Sequence, residues 1–274
     1  MRNAKKILAV VLTLSAFMSV ITSGAAAELG TVETMLSQIG CLYEACDLGT
    51  ATAAAIRSAA GTDFAAVSGG LLYQNIAGGS ATEESIAQSY TNDEEIYICT
   101  LTALELKEMI EVGISHIVVG ADEAVDTEAS AWEGFLQLSG LTVKCDYSAA
   151  AGDRVMWIKG ADGEQLDLTD ETTVYTLAVT GSLLQEEYGY PVLTAEKYDD
   201  SMLDIVYAAV AEGTLSADET PYKIISVQGT ILMQKVSPLI PVLLTVMFLI
   251  VGALSTSRAN EAKRRKEAYE ADGL

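Results

Sequence analysis

The chain has 274 residues, with 16 Lys and Arg against 38 Asp and Glu, a net charge of −22, four cysteines and a single histidine. So acidic a polypeptide repels polyanions, which excludes nucleic acid as a partner and makes any bound phosphate depend on locally placed cations or metal. One imidazole is also too few to build a two-metal hydrolytic centre, which draws several His, Asp and Asn ligands together.

Taken in chain order, Arg2, Lys5 and Lys6 precede the apolar run "ILAVVLTLSAFMSVI", and "SGAAAE" follows with an Ala25-x-Ala27 pattern. Residues 1–27 therefore read as a secretory signal rather than a retained anchor. Residues 28–235 carry 8 basic and 34 acidic residues, a net charge of 8 − 34 = −26. Cys41, Cys46, Cys99 and Cys145 all fall in this exported part, without metal-type CxxC spacing. They allow three disulfide connectivities, or buried thiols at Cys99 and Cys145.

The stretch "TATAAAIRSAA", 50–60, predicts a helix closed by Gly61, and "DFAAV" predicts a strand running into the glycine turn of "VSGGLLYQNIAGG". Paired glycines there bring a backbone close to something, yet the loop holds no Lys or Arg to complement a phosphate. "TEESIAQ" predicts a short helix capped by Thr82. Around Ile96 and Ile98 the pattern alternates as a strand does, and Thr102 with Glu105 then opens a helix to about Val112. Residues 120–131 read as an acidic loop. Three β-rich pieces follow, with "GADG" as a hairpin turn, and "DDSMLDIVYAAVAEG" predicts a helix capped by Asp199 or Asp200 and stopped by Gly213. Strands mixed with helices in this order predict one α/β domain over 28–227.

A linker over 228–235 leads to "VSPLIPVLLTVMFLIVGAL", an uncharged run long enough to span a hydrocarbon core, so 236–256 is expected to be a transmembrane helix. Arg258, Lys263, Arg264, Arg265 and Lys266 follow, which places the tail, 257–274, in the cytoplasm and the domain outside a single-pass cell-membrane protein.

Six strings in order across residues 45–212 resemble the C-terminal, substrate-recognising domain of the 5'-nucleotidases: "LGT", "SGGLLY", "SYTNDEEIYICTLTALELKEMIE", "SGLTVKCD", "GDRV" and "YTLAVTGSLLQEEYGYPVL". The resemblance implies a layered α/β sandwich that in the full enzymes clamps a nucleoside against a separate metal-bearing domain. Carried over by position, it implies a base-stacking aromatic at Tyr90, a base-edge amide at Asn92 and a backbone turn at Gly69 and Gly70. The family's phosphate-gripping arginine is replaced by Tyr73, its second stacking aromatic falls at Ser182, and the aspartate of its closing motif falls at Tyr188. Tyr188 is the candidate second aromatic wall, weighed against a packing or turn role. Glu186 and Glu187 replace small residues and would repel an anion, so a neutral nucleoside suits the site better than a nucleotide.

No catalytic residue, metal ligand or cofactor is assigned. His116 reads as structural or surface, Cys41 and Cys46 are too far apart for a redox pair, and no serine has a base in an elbow-type context. The expected function is a membrane-anchored recognition module, noncatalytic alone, that binds a nucleoside-like ligand or another surface protein. The alternative is one subunit of a split 5'-nucleotidase whose metallophosphoesterase domain is on another chain.

Overall fold

A computed structural model of the chain describes residues 27–120, 124–217 and 221–225, and all of these fall in the first of two compact units, 1–230 and 231–274. Residues 1–26 of the expected leader 1–27, and the expected linker 228–235, spanning segment 236–256 and tail 257–274, lie outside the described residues. Among the described residues no helix is long and apolar enough to cross a membrane.

In chain order the elements are β1 (Gly30–Val32), α1 (Asp47–Ala60), β2 (Phe64–Ser68), β3 (Gly79–Ala81), α2 (Glu83–Ala87), β4 (Glu95–Thr102) and α3 (Ala103–Ser115). Then come α4 (Thr127–Ser130), β5 (Leu136–Ser139), β6 (Leu141–Asp146), β7 (Val155–Gly160), β8 (Val174–Thr180), β9 (Ala195–Ser201), α5 (Met202–Glu212) and β10 (Tyr222–Ile225). Five strands form the central sheet in the order β5-β2-β8-β4-β9, with β2 and β8 parallel and the other pairs antiparallel. A second sheet, β10-β6-β7, and the small pair β1-β3 complete the fold.

The pleat of the central sheet sorts its side chains into two cores, because successive residues of a strand point to opposite faces. Ala65 and Val67 of β2 and Ala178 of β8 join Leu48 and Ile56 of α1 and Val206 and Val210 of α5 on one face. Phe64, Ala66, Leu177 and Val179 face the other way, onto α3 and the second sheet through Leu106, Ile110, Val143 and Ile158. The result is a layered α/β sandwich of helices, central sheet, then α3 with the second sheet.

Helix boundaries follow local capping chemistry. Thr102 and Glu105 cap α3 reciprocally, and α1 and α5 end at Gly61 and Gly213 in the left-handed conformation. Two caps differ from the sequence expectation. Helix α1 begins at Asp47 rather than residue 50, because the Cys46 sulfur accepts from Gly49 N. Helix α5 is capped by Ser201 with Asp204, while Asp199 and Asp200 belong to β9. The expected loop 120–131 also contains the one-turn helix α4, capped by Asp126.

The four cysteines are free thiols, all buried. Burial pushes Cys41 and Cys99 up to about 11 and Cys46 and Cys145 up to about 12, so none is a thiolate near neutral pH.

Candidate functional site

The glycine turn sits at the end of β2 as a single 3-10 turn, Gly69–Leu71. Its close approach is to the chain itself. A Cβ on Gly69 would lie 2.1 Å from the Cys41 carbonyl oxygen, and one on Gly70 would lie 2.7 Å from Glu133 Cβ. Both amides are already spent, with Gly69 N donating to Phe135 O and Gly70 N to Glu133 O, each at 2.8 Å. An anion cradle needs free N–H groups, and these two are committed.

The two arginines among the described residues lie elsewhere. Arg57, near the C-terminus of α1, reaches Ser139 at 3.0 Å and lines a cleft with Thr62, Asp63 and Phe64, at the opposite end of β2 from the turn. Arg154 donates to Ile114 O at 2.6 Å and Ile117 O at 3.0 Å, closing the C-terminus of α3. Tyr73, at the position of the family arginine, is 62% exposed.

Tyr90 differs most from expectation. It is 5% exposed within the core between α1 and α5, and its hydroxyl pairs with Thr52 Oγ1 at 2.7 Å. Burial holds its phenol well above the ordinary value. A ring packed this way is a core residue and offers no open face for stacking. Asn92 is exposed, but its amide is turned inward to Glu94 Oε1 at 3.2 Å and Asp93 O at 3.3 Å, while its carbonyl accepts from Thr91 Oγ1 at 2.8 Å.

A cleft of about 460 Å³ lies between this loop and the segment after β8, lined by Asp93, Glu94, Tyr97, Gly181, Ser182 and Gln185 among others. Glu94 ties the two walls together by accepting from Ser182 N at 2.7 Å. Gly181 keeps the floor open, since a Cβ there would meet the Tyr97 ring at 3.3 Å. Tyr97 donates to Glu95, which also pairs with Lys197. These contacts hold the Glu95 carboxyl below its usual range, the Lys197 bond first.

Tyr188 stands beside this cleft, half-buried in a one-turn helix, Glu186–Tyr188. Burial raises its phenol, and the charges of Glu133, Glu187 and Glu94 add to that rise. Its ring meets Trp132 edge-on, at 5.9 Å and 83°. Trp132 in turn stacks on the exposed His116 ring at 4.1 Å and 18°. The structure thus brings Gly69, Gly70, Asn92 and Tyr188 to one end of the central sheet and sends Tyr90 into the core. Glu94, Tyr97, Gly181 and Trp132 were not singled out in the sequence. Among the described residues, no group of three or more His, Cys, Asp or Glu is placed to hold a metal ion.

The fold is thus a layered α/β sandwich with a cleft at the loop ends of its central sheet. The family model of the 5'-nucleotidase C-terminal domain matches residues 24–195, and the chain belongs to that family. No curated protein sequence matches it. Among solved structures it is similar to a 5'-nucleotidase precursor from Thermus thermophilus, with 20% identity, a TM-score of 0.60, and coverage of 81% of this chain and 42% of that one. It is also similar to a sulfate thiohydrolase from the same organism (19% identity, TM-score 0.57, 77% and 38% covered) and to the NAD nucleotidase of Haemophilus influenzae (11% identity, TM-score 0.58, 82% and 41% covered). The chain spans about two-fifths of the length of each of these proteins.

Proposed function

We propose that the chain is a membrane-anchored, single-pass recognition module that holds a neutral nucleoside outside the cell and is noncatalytic alone. The observation that carries this reading is the cleft between residues 93–97 and 181–185: it is walled by an aromatic ring and carboxylates, within a fold whose family recognises nucleotides. Acceptors dominate its rim, and the glycine turn beside it has both amides occupied, so an uncharged ligand carrying N–H and O–H donors suits it better than a phosphomonoester. The solitary histidine supports the noncatalytic part of the reading. Leader and spanning segment, 1–27 and 236–256, support the anchored one.

Equilibrium dialysis of the purified full-length chain with adenosine and with AMP tests this reading. Adenosine should bind more tightly than AMP, and Gly181→Leu, which fills the cleft floor, should abolish binding. Preference for AMP, or hydrolysis of AMP with added Mn²⁺ or Zn²⁺ and no second protein, refutes it.

A second reading, one subunit of a split 5'-nucleotidase, is favoured by an apolar surface beside the glycine turn. Met35, Ile39 and Tyr73 are 57%, 68% and 62% exposed, on two segments joined by Gln38 N to Asn75 Oδ1 at 2.9 Å. Such a patch fits a docked partner domain. AMP hydrolysis that appears only on mixing with a metallophosphoesterase chain, and is lost in Ile39→Glu, would establish it.

A further inference from the structure

Basic residues are scarce in the outer portion, and their placement is uneven. Residues 28–235 hold 8 Lys and Arg against 34 Asp and Glu. Three of the eight, Lys144, Lys159 and Lys223, fall on the second sheet, one each in β6, β7 and β10. We propose that the outer face of this sheet lies on the surface of the bilayer that holds the chain, with its lysines on anionic phospholipid headgroups. This inference rests on the anchored reading proposed above.

Pleating decides which side chains form that face. Val143, Cys145, Val155 and Ile158 point inward to the core, on the side where α3 packs against the sheet. Thr142, Lys144, Trp157 and Lys159 stand on the other side, half-buried. Register sets Lys144 opposite Trp157 and Thr142 opposite Lys159, while Lys223 lies opposite Lys144 on the third strand. The Lys159 ammonium lies over the Trp157 ring, 5.4 Å from its centre. A bulge between Lys144 and Cys145 leaves Met156 49% exposed. Acidic residues flank the face at its ends: Asp146, whose carboxylate accepts from Ser148 N at 2.9 Å, and Asp162 in the turn after β7. Among the described residues neither Lys144 nor Lys159 is in an ion pair, whereas Lys197 pairs with Glu95 and Arg154 closes α3.

Lysines around a tryptophan suit the boundary of a bilayer, where an indole sits at headgroup level and ammonium groups meet phosphates. The rest of the domain repels an anionic surface, so a tethered body of net charge 8 − 34 = −26 turns its basic patch toward one. The tether also leaves from this sheet. Strand β10 ends at Ile225, and residues 226–235 join it to the expected spanning segment. A tether of that length reaches at most about 36 Å, so the sheet stays near any bilayer that holds the segment. An acidic polypeptide would satisfy the same ammonium groups, but no tether would keep it at this sheet.

The test reconstitutes the full-length chain into vesicles of phosphatidylcholine, with or without phosphatidylglycerol, that carry a nitroxide on their headgroups. Emission of the unmutated chain minus that of Trp157→Phe isolates Trp157, since Trp132 is the other tryptophan. Trp157 should be quenched strongly with phosphatidylglycerol and weakly without it, and high salt should erase the difference. Lys144→Gln with Lys159→Gln should weaken docking by about fivefold per lysine, which brings quenching down to the phosphatidylcholine level. Lys107→Gln, on α3, should leave it unchanged. Equal quenching in the two kinds of vesicle overturns the docking. A Trp157 that responds to soluble polyglutamate and not to phosphatidylglycerol assigns the face to an acidic protein and overturns it too. Release of the chain from the vesicles by alkaline carbonate overturns the anchored reading and the docking with it, whereas a chain that resists carbonate and shows no lipid-dependent quenching overturns the docking alone.

Discussion

Replacing Gly69 by alanine separates two explanations of the glycine turn, close approach to a ligand and close approach to the protein's own backbone. The new Cβ would lie 2.1 Å from Cys41 O, 3.0 Å from Cys41 C and 3.3 Å from Phe135 O. All three are main-chain atoms, so no flexible side chain can swing aside. Either the loop around Cys41 or the segment before β5 must shift, and moving the latter breaks the 2.8 Å bond from Gly69 N to Phe135 O. Overpacking of this kind costs about 1–3 kcal/mol and a lost buried hydrogen bond about 1 kcal/mol more, for an expected loss of about 3 kcal/mol. In a domain of this size that lowers the melting temperature by roughly 6–12 °C. Thermal unfolding followed by circular dichroism, paired with adenosine dialysis well below the transition, reads both quantities. A Gly69→Ala protein that melts normally yet no longer binds adenosine refutes the backbone explanation and returns the turn to the ligand.

Gln137 of β5 is buried against α1, where its amide donates to Cys41 O and Glu44 O and accepts from Cys46 N. Gln137→Leu strands these groups and should cost about 3 kcal/mol or more in urea denaturation. Four thiols should react with a thiol reagent in urea without reductant, and almost none in the native protein at pH 8, since all four are buried with raised pKa values; a titre of two in urea would reveal a disulfide. Glu44 is an exposed residue whose carboxyl is raised by partial desolvation, so its charged form weakens the fold only slightly above that folded pKa, and the penalty vanishes once pH falls below the ordinary carboxylate range. Glu44→Gln should therefore melt slightly higher than the parent at pH 7 and level with it near pH 3.5, a difference that differential scanning calorimetry measures.

Local signals made the helices legible and tertiary pairing hid several strands. Thr102 with Glu105 marked α3 because a capping box is closed within four residues. Strand β9, "AEKYDDS", has no apolar alternation, and it is a strand because β4 pairs with it from nearly a hundred residues away. Its aspartates imitated helix caps, while the reciprocal pair Ser201 and Asp204 sat two residues further on. At the site, the family motif implied a stacking role for Tyr90, but burial is not a property of a motif. Thr52, 38 residues away, supplies the partner that lets the Tyr90 hydroxyl stay inside. Trp132 was invisible as a site residue because its neighbours His116 and Tyr188 reach it only in the folded chain.

The polar groups at this end of the sheet have been turned into clamps between loops, and that limits what can bind. Gly69 N and Gly70 N hold the segment before β5, Glu94 holds Ser182 N, Asp93 accepts from Leu203 N at the start of α5, and the Asn92 amide is held by Glu94 and Asp93. Each carboxylate oxygen retains a second lone pair, whereas an amide N–H used once has nothing left to give. The free capacity at the site is thus for accepting hydrogen bonds. A 5'-phosphate would bring acceptors to acceptors and negative charge to Glu94, Glu133 and Glu187, while a nucleoside's hydroxyl and amino hydrogens meet what the clamps leave over. In the function proposed above, Tyr73 at the position of the family's arginine and the occupied glycine amides act in the same direction, toward a ligand from which phosphate is already absent.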